Sequence, residues 1–269
     1  MLNTDENIAS TYHYYLSYDE AGRLTRNNAH RVEFLLTMDV LTSLFSRLNP
    51  TQAVAAEIGC GPGEYTVELA PYVSRLYACD LMPNFLEAMM ARVEKESLNQ
   101  VIPIETNAED LSAIPNKICD ITLCMGPLYH LKGKDGRSRC LQELKRITKP
   151  DGTIVISYVN PRSRWAEIAK GTLTVEEYAS FEAKKHIFSD PFVYLSPNAI
   201  EDELKGQGLR ILQHIAVDPF SSFMGNQINV MEEQDFASWL QIASRHREER
   251  AWLEFSVHGL IVAEVDRGR

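Results

Sequence analysis

Residues 57–63, with the sequence EIGCGPG, combine one carboxylate with three glycines at alternate positions. Glycine has no Cβ, so the backbone of such a segment can come very close to a bound ligand. The spacing is GxGxG, and Glu64 stands where the GxGxxG segment of dinucleotide-binding proteins has its third glycine. A carboxylate at the start of the following helix opposes a phosphate group. The segment therefore predicts a ligand approached by backbone, and it disfavours an NAD-dependent dehydrogenase.

Asp80 is a second candidate binding residue because it ends the apolar run 75–80. The carboxyl ends of parallel strands meet at one edge of a sheet, where an acid can accept hydrogen bonds from the hydroxyls of a ribose. The alternative is that Asp80 only caps the helix that begins at Pro83. The polar run 106–111 after the next strand predicts contact with an adenine edge, or else it is an ordinary solvated loop.

The run 120–131 carries the candidate catalytic side chains. It passes through a Gly-Pro pair and then presents Tyr129 and His130. Histidine titrates near neutral pH, so His130 is a candidate general base, with a structural histidine bonded to nearby backbone as the alternative. Tyr129 is predicted to orient a substrate or to serve only as packing.

These residues need a sheet that brings them to one edge. Strands are predicted at 53–58, 75–80, 101–105, 118–125 and 153–159, with helices at 31–48, 64–73, 83–97 and 135–148. The residues 149–152 predict a turn, 197–206 a helix, and 209–217 and 256–265 two closing strands. Strands alternating with helices predict an α/β protein with a parallel sheet and helices on both faces.

Three segments fall outside this alternation and are predicted to form a lid on one domain spanning 1–269. They are an irregular arm with a short helix at 1–30, a helical insert at 161–195, and a polar loop followed by an amphipathic helix at 219–254. Aromatic side chains in the lid favour an apolar or aromatic ligand, although aromatic residues also simply pack. They are Tyr14, Tyr15, Trp165, Tyr178, Phe181, Phe188, Phe192 and Tyr194.

The order of these signals over residues 31–160 resembles the class I S-adenosylmethionine-dependent methyltransferases of the small-molecule type. The matching features are Glu-x-Gly-x-Gly-x-Gly, the acid after the second strand, Asn-Ala-Glu after the third, an Asp-led fourth strand, and RITKPDG at 146–152. The resemblance implies a Rossmann-like, seven-stranded, mostly parallel sheet with helices on both faces and a helical lid. It also implies an enzyme whose cofactor is S-adenosylmethionine.

The resemblance assigns residues to the parts of that cofactor. The methionine moiety would be lined by Glu57, Gly59, Cys60, Gly61 and Gly63. The adenosine would be held by Asp80, Leu81, Asn107, Ala108 and Glu109, with Met125 and Gly126 near the sulfonium. Asn107 stands where the family often has aspartate, but its amide keeps an acceptor oxygen. Tyr18 or Arg23 would meet the methionine carboxylate, with a solvated face as the alternative for Arg23.

Charge and composition restrict the partners. The net charge of −10 disfavours nucleic acid and anionic membrane surfaces, and no apolar run is long enough to span a bilayer. Five cysteines without CxxC spacing and the absence of a signal pattern predict reduced thiols and a cytoplasmic protein. No metal site is predicted, because His186, His214, His246 and His258 lack metal-ligand spacing and are interpreted as structural.

The segment GPLYHL at 126–131 resembles small-molecule methyltransferases and not the Asn/Asp-Pro-Pro-Tyr tetrad of enzymes that methylate bases or protein amides. The resemblance thus implies methyl transfer to a small-molecule acceptor. The alternatives are a protein or RNA methyltransferase, and a non-catalytic module that binds S-adenosylmethionine or supports an active partner. The acceptor atom and the oligomeric state, with a homodimer among the options, stay open.

Overall fold

The computed structural model describes residues 4–184 and 191–266. Its strands are β1 (Val54–Ile58), β2 (Arg75–Asp80), β3 (Val101–Glu105), β4 (Cys119–Cys124), β5 (Thr148–Val159), β6 (Leu209–Ala216) and β7 (His258–Val265). They form one sheet in the order β3-β2-β1-β4-β5-β7-β6. The first five strands run parallel, and β7 runs antiparallel to both of its neighbours. The chain changes direction across the sheet between β1 and β4, which is where open α/β sheets bind ligands.

Helices cover both faces of the sheet, as the sequence predicts. The first five are α1 (Thr4–Ser17), α2 (Asn28–Phe45), α3 (Glu64–Leu69), α4 (Pro83–Lys95) and α5 (Lys134–Ile147). The later ones are α6 (Trp165–Ala169), α7 (Val175–Lys184), α8 (Pro197–Gly206), α9 (Ser221–Asn229), α10 (Glu233–His246) and α11 (Arg250–Glu254). Ala55 belongs to the core under α2 and α4, while its neighbour Ala56 belongs to the core under α5 and α8. Because both faces are buried, β1 is apolar without alternation.

The N-terminal arm differs from the sequence prediction, because it is mostly the 14-residue helix α1 and not an irregular segment. Its sequence has little helical amphipathicity, so local pattern predicts it poorly. The helix is instead fixed by contacts with distant loops: the Tyr12 hydroxyl donates to the Leu81 carbonyl at 3.1 Å, and Lys132 donates to Ser10 at 3.2 Å. Tertiary packing therefore supplies the stability that the isolated segment lacks.

The segment 219–254 also differs, since α9 forms where a polar loop is predicted. This helix packs on α2, about 200 residues away in the chain. The Ala29 backbone N–H donates to the side-chain oxygen of Asn229 at 2.8 Å, and an added Cβ on Gly225 would lie 3.8 Å from the Cβ of Ala29. A polar sequence thus becomes helical because a long-range partner satisfies its polar groups.

The predicted turn at 149–152 lies within β5. Thr148 pairs with Cys119 and Thr153 with Ile121, so extra residues are accommodated by a shift of register. The turn residues therefore form a bulge within a continuous strand and do not interrupt it.

The predicted insert at 161–195 contains α6 and α7 and ends in a parallel bridge between Val159 and Tyr194. Arg164 lies 4.8 Å above the ring of Phe181 within it. Phe188 and His186, which the sequence analysis names, lie outside the described residues.

All five cysteines are buried and free of disulfides, as predicted. None of the helices in the described residues has the length and apolar character needed to cross a membrane.

Candidate active site

A cavity lies at the carboxyl ends of β1, β2 and β4. Most of the residues expected to bind the cofactor line it. They are Arg23, Gly59, Cys60, Gly61, Asp80, Leu81, Asn107, Ala108, Met125 and Gly126, and the predicted catalytic residues Tyr129 and His130 line it too. We call this space the first cavity.

Two glycines give the loop after β1 its shape. Gly59 has φ +79° and packs so closely on the turn after β4 that an added Cβ would lie 2.5 Å from Cδ of Pro127. Gly61 has φ +53°, and an added Cβ there would meet no atom within 4 Å. Gly59 is therefore needed for packing, whereas Gly61 leaves space at the cavity wall for a ligand.

Asp80 joins this loop to the start of α4. One carboxylate oxygen accepts from the Gly61 backbone N–H at 2.8 Å, and the other accepts from the Met82 N–H at 2.9 Å. The side chain is buried, and burial raises its pKa. Each carboxylate oxygen retains a further lone pair, so Asp80 can hold the residue before the helix and still accept ribose hydroxyls. The side chain does not cap α4 itself, because the N-cap residue is Met82 and no side chain bonds the first turn.

Glu57 does not line the first cavity, although the sequence analysis assigns it there. It is 1 % exposed and lies behind the glycine loop, where it accepts from the Thr66 hydroxyl at 2.6 Å. Burial raises its pKa to about 8, the Thr66 hydrogen bond opposes that shift, and the nearby carboxylates of Asp80 and Glu64 add to it. Glu57 is thus a neutral support for the loop at pH 7.

Gly63, Glu109 and Tyr18 also lie outside the lining of the first cavity. Gly63 packs against Met89 of α4. The Glu109 side chain turns away to pair with Arg139. The predicted direct contacts of these three residues with a cofactor therefore lack support in the geometry.

The helix α1 covers the first cavity, in the place where the sequence predicts a lid but as a regular helix. It contributes the lining residues Ile8, Thr11 and Tyr15. Glu64 holds the following arm in place: its carboxylate accepts from the Gly22 backbone N–H at 3.3 Å and from Arg92 at 2.9 Å. The carboxylate that breaks the dinucleotide pattern thus fastens the lid to the glycine loop.

His130 is buried beneath α1 with both ring nitrogens occupied. Nδ1 lies 3.2 Å from the Pro191 carbonyl, and Nε2 lies 2.9 Å from the Tyr15 hydroxyl. A carbonyl only accepts, so Nδ1 carries the proton and Nε2 accepts from Tyr15. Burial lowers the pKa of His130 to about 4. This geometry disfavours the predicted general-base role, because neither nitrogen is free, and it makes His130 the residue that orients Tyr15.

A second cavity adjoins the first, and the two share Tyr15, Glu20, Arg23 and Tyr129. One part of its lining is aromatic: Tyr14, Tyr18, Tyr129 and Phe192. Another part is polar: His30, Asp218, Ser221, Ser222, Asn226 and Asn229. The apolar or aromatic ligand expected from the lid composition accordingly matches only part of this space.

An ion network runs from the shared wall into the second cavity. Arg23 donates to both oxygens of Glu33 at 2.7 and 3.1 Å and to Glu20 at 2.9 Å. His258 places Nδ1 2.8 Å from Asp218 and 3.6 Å from Glu33. Burial raises the pKa of Glu33, but attraction to Arg23 and His258 outweighs it and lowers that pKa to about 2.

Glu33, Asp218 and His258 offer ligand atoms within 4.8 Å of one another, a spacing that a metal ion could share. Each group, however, is already bonded within the network, His258 Nδ1 to Asp218 and Glu33 to Arg23. The arrangement is therefore that of alternating hydrogen-bonded charges. No spacing in the sequence predicts it, since the three residues come from α2, the loop after β6 and the start of β7.

The mixed seven-stranded sheet, with a cavity built by the loops after β1, β2 and β4, defines a class of protein. Residues 56–156 match the sequence family described as a methyltransferase domain. The N-methyltransferase NodS of Bradyrhizobium japonicum, solved with S-adenosyl-L-homocysteine, has the same fold, with a TM-score of 0.59 and 15 % identity. That match covers 96 % of this chain and 98 % of NodS. Residues 56–156 therefore match a methyltransferase domain, and the sheet has the fold of the class I S-adenosylmethionine-dependent methyltransferases.

Two relatives are similar in sequence over parts of their length. "Probable methyltransferase ltbC" of Aspergillus luteorubrus is 31 % identical over 105 residues, which are 36 % of this chain and 37 % of that protein. A tRNA (carboxymethyluridine(34)-5-O)-methyltransferase of Mus musculus is 21 % identical over 183 residues, which are 61 % of this chain and 26 % of that protein. The chain thus matches well under half the length of either relative.

Proposed function

We propose that this protein binds S-adenosylmethionine in the first cavity and transfers its methyl group to a small molecule bound in the second. The observation that carries the proposal is the shared wall, at which Tyr15, Glu20, Arg23 and Tyr129 border both spaces. Adjacent cavities allow two reactants to be held in contact, which supplies much of the rate of a transfer reaction.

The residues of the first cavity fit the cofactor. Asp80 would accept the ribose hydroxyls, and Leu81 and Ala108 would contact the adenine. Gly61 leaves room for the methionine moiety. When bound, the cofactor supplies an electrophilic methyl group on a sulfonium, so the protein needs only to position the acceptor and remove its proton.

Arg23 is our proposed partner for the methionine carboxylate. Three of its five N–H donors bond Glu20 and Glu33, which leaves two for a further acceptor at the shared wall. Tyr18, the other residue predicted for this role, lines the second cavity instead and stacks on Tyr14 at 5.1 Å between ring centroids. We assign Tyr18 and Tyr129 to acceptor packing and orientation.

A small acceptor is favoured by the cover that α1 forms and by the net charge of −10, which opposes the approach of a polyanion. The second candidate is an RNA methyltransferase, because of the similarity to the mouse tRNA enzyme over 61 % of this chain. A non-catalytic cofactor-binding module is the third. A cytoplasmic location, consistent with five buried free thiols, is part of the proposal.

Two successive measurements test the function. Titration calorimetry should detect binding of S-adenosylhomocysteine and no binding of NAD. Tight binding of NAD without binding of S-adenosylhomocysteine would overturn the cofactor assignment. The protein is then incubated with S-adenosylmethionine and separate panels of small amines, alcohols, phenols and carboxylic acids, with bulk tRNA as a comparison. We expect S-adenosylhomocysteine to accumulate with a small molecule. Accumulation with tRNA alone would favour the RNA enzyme, and accumulation with neither would favour the non-catalytic module.

A further inference from the structure

His258 stands at the start of β7 and lines the second cavity. It is fixed to Asp218 twice, since its backbone N–H donates to Oδ1 at 2.8 Å and its ring Nδ1 lies 2.8 Å from Oδ2. The Ser256 hydroxyl donates to Oδ1 of Asp218 as well, at 2.6 Å. The carboxylate is therefore held by three donors, and it fixes the plane and the tautomer of the His258 ring.

The other ring nitrogen of His258 is the chemically useful one. Because Nδ1–H is committed to Asp218, a neutral ring carries its lone pair on Nε2, for which the described residues supply no hydrogen-bond partner. The hydroxyls of Ser221 and Ser222, which line the same cavity, are also buried without a partner in the described part of the chain. Ser221 is only 9 % exposed. Buried polar groups without partners are costly, so these atoms point to a polar ligand that completes them.

We propose that His258, oriented by Asp218, accepts the proton of the methyl acceptor, and that this acceptor is a small polar molecule with an ionisable hydroxyl or ammonium group. The inference rests on the proposed methyl transfer. A carboxylate, an imidazole bonded through Nδ1 and a free Nε2 on a ring that lines the proposed substrate space form the arrangement of a general base.

The step balances without any further reactant. A lone pair on the acceptor oxygen or nitrogen forms the new bond to the methyl carbon, the bond from that carbon to sulfur breaks, and its electron pair stays on sulfur as S-adenosylhomocysteine. The acceptor's proton moves to Nε2 of His258. The ring becomes an imidazolium, whose charge is stabilised by the carboxylates of Asp218 and Glu33.

The charged groups around the ring come from several elements. Glu33 and His30 face it from α2, Asp218 from the loop after β6, Arg23 from the arm, and Lys170 lines the same cavity from beyond α6. Burial lowers the pKa of His258, but Glu33 and Asp218 outweigh burial, and Arg23 opposes them only in part, so the pKa lies above its ordinary value of 6.5.

His214 provides a matched control. It also pairs Nδ1 with a carboxylate, Glu201 at 2.8 Å, but its Nε2 is occupied by the Tyr158 hydroxyl at 2.9 Å. It lies on β6, and it lines neither cavity. The two histidines therefore share the carboxylate contact and differ in the free nitrogen and the location.

The first experiment needs no acceptor. Diethyl pyrocarbonate labelling and NMR titration of the histidine rings are compared in the wild type, Asp218→Asn and His214→Gln. We expect His258 to be labelled readily, His214 and His130 to be protected, and the pKa of His258 to fall in Asp218→Asn. A His258 that is unlabelled and whose titration ignores Asp218→Asn overturns the proposal.

The second experiment uses the acceptor that the small-molecule panel identifies. Single-turnover rates between pH 5.5 and 9 should fall by about 10²–10⁴ in His258→Gln, the range for loss of a general base, with the affinity for S-adenosylhomocysteine unchanged. His214→Gln should keep the wild-type rate, and added imidazole should restore part of the rate of His258→Ala. A His258→Gln variant with the wild-type rate at every pH overturns the proposal, whereas a wild type that binds no S-adenosylhomocysteine overturns the proposed function itself.

Discussion

Each cavity has a largely buried glutamate beside it, and one of these two glutamates is neutral while the other is ionised. Glu57 lies behind the first cavity with only a threonine hydroxyl as its partner, and its pKa rises to about 8. Glu33 lies beside the second with Arg23 and His258, and its pKa falls to about 2. The first cavity is thus backed by a neutral carboxyl group, whereas the second is backed by a network of paired charges.

The difference indicates how each space recognises its ligand. The loops of the first cavity present backbone at Gly61 and a carboxylate already fixed by two backbone N–H groups. The second cavity presents side chains from segments far apart in the chain, held by one another's charges. We therefore expect substitutions near the second cavity to act through charge balance and those near the first to act through shape and hydrogen bonds.

The largest effect is expected from Glu33→Gln, which removes the carboxylate between Arg23 and His258. Breaking a buried ion pair on one side typically costs about 3–5 kcal/mol, because the remaining charge stays buried. Chemical denaturation at pH 7 measures the loss of unfolding free energy. Asp39→Asn is the control, since this carboxylate is also on α2 and also binds an arginine, Arg247, but is 57 % exposed and should matter by less than about 1 kcal/mol.

The pH dependence of the unfolding free energy also tests the contribution of Glu33. The pKa of Glu33 is lower in the folded protein than in the unfolded chain, so its stabilising contribution is complete above pH 4.5 and is lost as the pH falls toward 2. Equal losses in Glu33→Gln and Asp39→Asn would remove the distinction between a buried and a surface pair.

Glu57→Gln should raise the unfolding free energy at high pH, whereas Glu33→Gln lowers it. The folded protein keeps the Glu57 proton up to about pH 8, so its unfolding free energy falls as the pH rises from 4.5 to 8. The neutral amide removes this dependence and should make the variant more stable than the wild type at pH 8.5, on the order of 3 kcal/mol, with little change at pH 5. Denaturation curves at both pH values decide, and a variant less stable at both would show that the carboxyl is not held neutral.

Gly61→Leu should weaken S-adenosylhomocysteine binding at least about 100-fold, or about 2.7 kcal/mol, because the side chain would enter the space left for the ligand. Gly208→Leu is the matched control. Gly208 also has a positive φ, +73°, and open space around an added Cβ, but it lies outside both cavities. Both variants should lose about 1–2 kcal/mol of stability through backbone strain, and only the first should lose affinity.

Asp80→Ala should weaken the same ligand at least about tenfold, or 1.4 kcal/mol, through loss of the ribose acceptor. The control is Asp120→Ala, whose carboxylate also accepts a backbone N–H, that of Val54 at 2.9 Å, but at the opposite end of the strands. Calorimetry gives the affinity and thermal unfolding the stability of each. An unchanged affinity in Asp80→Ala would place the ribose elsewhere.

Sequence reasoning predicted the parallel strands to within a few residues, with Arg75–Asp80 and Val101–Glu105 matched at both ends. It succeeded because a buried parallel strand has a continuous apolar pattern bounded by turns. It failed for α1 and α9, whose polar or aromatic sequences become helical only through contacts with distant loops and with α2. For His130 it left a general base and a structural histidine both open, because position along the chain does not tell which ring nitrogens stay free.

By itself, the sequence determined the glycine loop, the position of Asp80 after a strand and the order of the strands along the chain. From these features came the class of protein and its cofactor. These features are local: a backbone that approaches a ligand needs glycines at set spacings, and the strand pattern repeats within a few residues. Only the tertiary structure decided the second cavity, the network of Glu33, Asp218 and His258, and the helical form of the arm at α1. Those features depend on side chains up to 225 residues apart in the sequence. Charge pairing over such separations produces no periodic pattern in the sequence.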